Sequence, residues 1–173
     1  MDSEITIRLA GPTDWQGIIA IYNQGIEDGF CTAITERLTV ETFKPWLEIH
    51  DGSNFPIFIA EKGDKMLGWC SLSPYRPGRQ ALRKTGEISY YMDRTVRGQG
   101  VGKRLIKQTL EQAAKYGLYN LIAVLLDVNT VSVRLLERFG FKRWGHFPRT
   151  VDFGDTICGQ FIYGKNLADP TES

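Results

Sequence analysis

The segment Val96-Arg97-Gly98-Gln99-Gly100-Val101-Gly102-Lys103-Arg104 decides how the rest of the chain is read. It follows a stretch of strand character, Glu87 to Met92, and opens a stretch of helical periodicity. Glycines at alternate positions let a backbone approach a ligand closely and take torsions barred to other residues. The first amides of the following helix point into the same space, with the positive end of its dipole behind them. A phosphate or pyrophosphate is the natural guest. The pattern G-x-x-x-x-G-K-[ST] does not fit, because Gly98 and Gly102 have one residue too few between them and Arg104 stands where a hydroxyl is required. The dinucleotide pattern G-x-G-x-x-G also fails, since Gly102 comes one residue early. Taken alone, the segment serves as well for a plain corner of the chain.

Working outward, Ile5, Ile7 and Leu9 alternate with polar residues as in a half-buried strand. Thr13 and Asp14 are candidate caps for a helix bearing Ile18, Ile19, Ile21, Tyr22 and Ile26 and ending near Gly29. A second helix is expected over Val40 to His50, with Phe43, Trp46, Leu47 and Ile49 inward; Pro45 suits it only in the first turn or at a kink. Strands at Pro56–Glu61 and Met66–Ser71 flank Gly63-Asp64, a hairpin signal. Ser73 to Thr85, with two prolines and Arg76, Arg79, Arg83 and Lys84, leaves the sheet before the strand at Glu87. After the glycine segment a helix runs from Lys103 to Tyr116, its apolar face Leu105, Ile106, Leu110, Ala113 and Ala114, with Gly117 as its stop. Leu121–Leu126 reads as a strand buried on both faces. A helix at Thr130–Phe139 follows, with Val131, Leu135 and Phe139 inward. Phe141–Phe147 and Cys158–Tyr163 are the last strands, and Ala168–Ser173 a frayed tail. The order βααβββαβαββ gives a mixed α/β layer structure around one sheet.

The 173 residues are 42% hydrophobic and 24% charged, the composition of a single globular domain over 1–173 with a core over about residues 5–167. Twenty-one Lys+Arg against twenty Asp+Glu leave a net charge of +1, so a nucleic-acid binder recruited by bulk charge is excluded. Cys31, Cys70 and Cys158 form no C-x-x-C pair, and His50 and His146 form no H-E-x-x-H, so neither a disulfide framework nor a metal is expected. Met1-Asp2-Ser3-Glu4 lacks an apolar leader, and no apolar run approaches the ~20 residues of a membrane span. A cytoplasmic, reduced protein without a membrane partner is expected.

Arg97-x-x-Gly100-x-Gly102 resembles the acetyl-coenzyme A pyrophosphate motif [R/Q]-x-x-G-x-[G/A] of the GCN5-related N-acetyltransferases. Asn129-x-x-Ser132, followed by Leu135 and Phe139-Gly140-Phe141, resembles that family's second signature, and the element order matches from Ile5 to Leu167. Ile7-Arg8, Ile21-Tyr22-Asn23, Trp69, Tyr75-Arg76-Pro77 and Gly86-Glu87 look like the branch that acetylates phosphinothricin and methionine sulfoximine. The resemblance implies a central, mostly antiparallel, splayed sheet flanked by helices. It also implies acetyl-coenzyme A as co-substrate, a small amino acid or analogue as acceptor, and a homodimer. Acetylation of a protein N-terminus or lysine, and a non-catalytic acyl-coenzyme A-binding module, stay open as other uses of the same fold.

An amine must lose a proton before it attacks a thioester, so such a site needs a base and dipoles for the carbonyl oxygen. The resemblance makes Glu87 that base. It assigns the thioester and pantetheine to the main chain near Tyr91 and Met92, and to Asn129 and Ser132. The pyrophosphate falls to Gly98, Gln99, Gly100, Val101 and Gly102, with charge from Arg97 and Lys103. Tyr75 and Arg76 are expected to hold a carboxylate or phosphinate, because a guanidinium pairs with such groups bidentately. Glu27 and Phe30 are expected on the opposite wall. Where many family members carry a Tyr that protonates the departing thiolate, this chain has Leu136, so no acid is assigned.

Overall fold

The computed structural model describes residues 4–167; the tail at 168–173 and the first three residues lie outside the described residues. Strands β1 (Thr6–Leu9), β2 (Ile57–Lys62), β3 (Lys65–Pro74), β4 (Thr85–Met92), β5 (Asn120–Leu126), β6 (Lys142–Asp152) and β7 (Ile157–Asn166) form one sheet in the order β1-β2-β3-β4-β5-β7-β6. Neighbours run antiparallel except β4 and β5, which are parallel. Helices α1 (Trp15–Asp28) and α2 (Val40–Glu48) cover one face; α3 (Val101–Ala113) and α4 (Thr130–Arg138) cover the other. The expected element order and mixed architecture are both present.

Strand alternation sorts side chains between the two faces. Ile59, Trp69 and Tyr91 meet Ile18 and Leu47 under α1 and α2. Phe58, Cys70 and Ile88, with Tyr90 beside them, meet Leu105, Ile106 and Leu136 under α3 and α4. Trp69 is buried, and its Nε1 donates to the Ile18 carbonyl at 3.1 Å, which satisfies its polar edge.

Several local expectations are corrected. Leu9 lies on an edge strand and is exposed, as is Ile49 beyond the end of α2. Pro45 sits inside α2, past its first turn. Asp14 does not cap α1 with its side chain; its carboxylate accepts from Gly11 N at 2.8 Å and pairs with Arg8. Helix α3 starts at Val101, two residues early, and Ala114 is exposed because the chain tightens into a 3-10 turn there. In α4 the buried residue is Leu136, while Val131 is 69% exposed. Of the period-four stripe Val131-Leu135-Phe139, Leu135 and Phe139 pack against the core and only Val131 faces away. Strand β6 runs on to Asp152, through a register shift between Phe147 and Val151 where Arg149 takes φ 57°.

Candidate active site

The site begins with a failure of strand pairing. Strands β4 and β5 are in register only at Thr85–Asn120, Gly86–Leu121 and Glu87–Ile122. Gly86 permits the approach, since a Cβ there would meet Leu118 Cδ1 at 2.7 Å. Beyond Glu87 the strands part and a cleft of about 680 Å³ opens between Ile88–Met92 on β4 and Ala123–Leu125 on β5. β4 keeps β3 on its other edge and β5 keeps β7, so the edges facing the gap have lost their sheet neighbour. Val124, expected to be buried on both faces, is 37% exposed for this reason. Unpaired main-chain groups in such a wedge suit an extended ligand that carries its own amides.

At the wide end lies the glycine turn. Gly98 and Gly100 have φ 77° and 84°, and a Cβ on either would touch nothing within 4 Å. Their glycine identity is therefore demanded by torsion and not by packing. Gly100 offers α3 no side-chain cap, which leaves the first-turn amides of Val101, Gly102 and Lys103 for a ligand. Gly102 has only ordinary contact distances around a would-be Cβ, with Leu135 at 3.5 Å. Lys103, Arg134 and Arg138 line the cleft as well. The sequence reading missed the last two. Their signal was a pair of arginines four apart in the helix that Asn129 begins.

Arg97 departs from its expected role as a free phosphate-binding charge. It lines the cleft, but its Nη1 hydrogen-bonds the Asp28 carboxylate and its Nε donates to the Met92 carbonyl at 3.3 Å. Arg94 holds the same Asp28 at 2.9 Å. The two arginines pin the turn to the end of α1. The Asp28 carboxyl lies below the ordinary range: burial opposes the shift, and the hydrogen bonds from Arg97 and Arg94 prevail. Gln99 is absent from the cleft lining; its side chain donates to the Thr95 carbonyl at 2.9 Å.

Tyr91, Met92, Asn129, Ser132 and Phe30 all line the cleft, as expected. The Asn129 Oδ1 accepts from Ser132 N at 3.2 Å and so caps α4, which leaves less of this amide for a ligand than expected. The Tyr91 ring packs on Trp69 and Tyr22, and Gly25 makes room for it, since a Cβ there would stand 2.9 Å from the ring. Tyr90, also in the lining, has a buried hydroxyl with no hydrogen-bond partner among the described residues. Burial pushes the phenol pKa up, against an opposing contribution from the Ser132 side chain. Leu136 is buried in the same wall and supplies no proton.

Glu87 stands at the vertex of the wedge, on the last paired rung. It is half-buried, and desolvation raises its pKa above the ordinary carboxylate value. That makes it a readier proton acceptor than an exposed carboxylate. Tyr75 lines a second, shallower groove with Val124, Trp144, Gly145, Phe147, Gln160 and Ile162; Val124 is common to both cavities. Arg76 is exposed and lines neither, with a left-handed φ of 51°. Glu27 lines neither and is engaged by Arg37 and Arg94. His146 pairs with Asp127 at 2.9 Å, outside the lining of either. No group of three or more His, Cys, Asp or Glu among the described residues could hold a metal ion.

A split sheet, an uncapped helix behind a left-handed glycine turn and a half-buried carboxylate on the last paired rung make up the candidate site. The acetyltransferase (GNAT) family model matches residues 20–141, and the chain belongs to that family, whose acetyl donor is acetyl-coenzyme A. It is 34% identical over 165 residues to the Bacillus subtilis (strain 168) protein YwnH, provisionally named a phosphinothricin acetyltransferase, covering 95% of this chain and all of the relative. It is 33% identical over 172 residues to the L-methionine sulfoximine/L-methionine sulfone acetyltransferase of Pseudomonas paraeruginosa (strain DSM 24068 / PA7), covering 97% of each. A crystal structure provisionally described as a phosphinothricin N-acetyltransferase superposes with a TM-score of 0.90 at 34% identity, over 96% of this chain and all of the other.

Proposed function

We propose that this protein transfers the acetyl group of acetyl-coenzyme A to the α-amine of a small amino acid or analogue of the phosphinothricin, methionine sulfoximine or methionine sulfone kind. The observation that carries the reading is the register of Glu87: it lines neither cavity itself, but it stands on the last paired rung of β4 and β5, next to Ile88, where the lining of the cleft begins, and the glycine turn lines the same cleft. A donor with its pyrophosphate on the Gly98–Gly102 amides and its pantetheine along β4 brings its thioester toward that vertex. The named relatives support the acceptor class.

In this reading Glu87 takes a proton from the substrate ammonium, directly or through water. The nitrogen lone pair then attacks the carbonyl carbon, and main-chain amides near Tyr91 and Met92 stabilise the oxygen as it becomes negative. When the carbon–sulfur bond breaks, the electron pair leaves on sulfur. The nitrogen sheds its second proton as the amide forms, and the thiolate gains one to leave as the free thiol; Leu136 has no proton to give, and no side chain is assigned as the acid. The second groove, with Tyr75 on its wall and Arg76 next in sequence, is the proposed acceptor side. We take the chain as one acetyltransferase domain acting in the cytoplasm. A homodimer is the proposed assembly.

The test is thiol release with a chromogenic reagent across amino acids, sulfones, sulfoximines, phosphinothricin and peptides. Turnover is expected with the small analogues. Turnover with peptides alone would move the acceptor to a protein N-terminus or lysine, and tight cofactor binding without turnover would make the chain a binding module.

A further inference from the structure

Glu87 faces Ser73 directly across the β3–β4 ladder. Directly opposed residues of an antiparallel pair project to the same face, with Cβ atoms ~4.5–5.5 Å apart. Ser73 has a partner behind it: its Oγ lies 3.0 Å from Nε2 of His50, a buried residue just past the C-terminus of α2. The other ring nitrogen, Nδ1, lies 2.7 Å from the Trp46 carbonyl oxygen. A carbonyl only accepts, so Nδ1 carries a proton.

At neutral pH the ring is uncharged. Burial disfavours its charge, while the Trp46 and Leu72 carbonyls and the Asp51 carboxylate favour it; burial prevails and the pKa falls below the ordinary histidine value. A neutral imidazole has one proton, already placed on Nδ1, so Nε2 is an acceptor and the Ser73 hydroxyl donates to it. The tautomer thereby fixes the serine. Its proton points to His50, and its remaining lone pairs face outward.

We propose that Ser73, oriented by His50, is a positioning residue for Glu87, offering the base an acceptor and withholding a donor. The proposal rests on the reading of Glu87 as the base. A carboxylate hydrogen-bonded by donors is stabilised in its charged form and becomes a weaker base. Among the described residues no hydrogen bond reaches Glu87, and desolvation is the cause acting on it. When the substrate N–H bond breaks, its electron pair stays on nitrogen and the proton goes to a Glu87 carboxylate oxygen. The new O–H then needs an acceptor, which Ser73 provides. The partners in register are uncharged, Ser71 opposite Ser89 on the next rung and Ile122 on β5, while Asp51 is the charged group acting on His50.

The experiment is the pH profile of kcat/KM for the best acceptor, with folding checked by circular dichroism. Ser73→Ala removes the acceptor, so the acidic limb should move down by roughly half to one pH unit, the net worth of one hydrogen bond. Ser73→Thr keeps the hydroxyl and should restore the limb. His50→Phe frees the serine proton to donate to the carboxylate and should move the limb down as well; added to Ser73→Ala it should do nothing more. A merely structural pair would lower stability without moving the limb. Glu87→Gln separates the two ideas. Loss of the limb in Glu87→Gln, with an unmoved limb in folded Ser73→Ala and His50→Phe, overturns the positioning role alone. A limb that survives Glu87→Gln overturns the base itself.

Discussion

At the Gly98–Gly102 end the cleft presents main chain, whereas beyond Glu87 the adjoining groove presents side chains drawn from β5, β6, β7 and the loop after β3. The first end is specified by torsion: two left-handed glycines and an uncapped helix within a few consecutive residues. The second end is assembled across the sheet, where Glu87 meets Ser73 and Ile122 and where Val124 joins the two cavities. A ligand held by backbone needs a local motif. A ligand held by side chains needs only that distant residues converge, and many sequences meet that requirement. The two ends should therefore respond differently to substitution.

The sharpest contrast is expected at the vertex. Glu87→Gln should lower kcat by ~10²–10⁴-fold, the usual worth of a positioned base, while cofactor affinity stays close to wild type. The loss should shrink as pH rises, because more of the substrate amine then deprotonates without help. Steady-state kinetics at several pH values checks this. A loss independent of pH would make Glu87 a positioning group and blur the distinction between the ends.

On the acceptor side, Arg76, like Glu27, lines neither cavity. Its left-handed φ of 51° is nonetheless costly for a residue other than glycine, and such torsions gather at functional sites. If Arg76 reaches the acceptor, Arg76→Ala should raise the acceptor KM by roughly 10- to 150-fold, the worth of a charge-assisted hydrogen bond of ~1.5–3 kcal/mol. The KM for acetyl-coenzyme A should hold. Methionine sulfone against its decarboxylated amine is the comparison to run, and equal losses for both would remove Arg76 from carboxylate recognition.

What the sequence made legible follows the same division. The glycine turn, the αL stops at Gly29 and Gly117 and the Gly63-Asp64 hairpin were readable because each is a backbone conformation tied to a residue type at that place. Leu136 and Val131 were misjudged, since which side of a nine-residue helix faces inward depends on the sheet beneath it. Arg97 matched the expected motif, yet its guanidinium is tied to Asp28, 69 residues away in sequence. The His50–Ser73 pair left no local signal at all, because it joins the end of a helix to a strand 23 residues on.

For the backbone end, Gly100→Val places a β-branched residue at φ 84°. Strain of ~1–3 kcal/mol would be relieved by opening the turn, so the KM for acetyl-coenzyme A should rise by about 10- to 100-fold with the fold intact. Isothermal titration with coenzyme A gives the same answer independently of turnover. Unchanged affinity in the folded variant would sink the phosphate site.

The smallest effect separates bracing from charge within that same end. Arg97 could serve the cofactor as a cation or as the pin that joins the turn to Asp28, and the two roles predict different partners. As a pin, Arg97→Gln should raise the KM for acetyl-coenzyme A by only about two- to fivefold, in keeping with the ~0–1 kcal/mol of a solvent-accessible ion pair. Asp28→Asn should then do much the same, and the double variant little more, since each single change already breaks the pin. As a cation, Arg97→Gln should cost more than Asp28→Asn and should flatten the salt dependence of cofactor binding. Asp28→Asn would even help in that case, by releasing the guanidinium toward the phosphates. The geometry favours the pin: although Arg97 lines the cleft, its Nη1 is held by Asp28 and its Nε by the Met92 carbonyl.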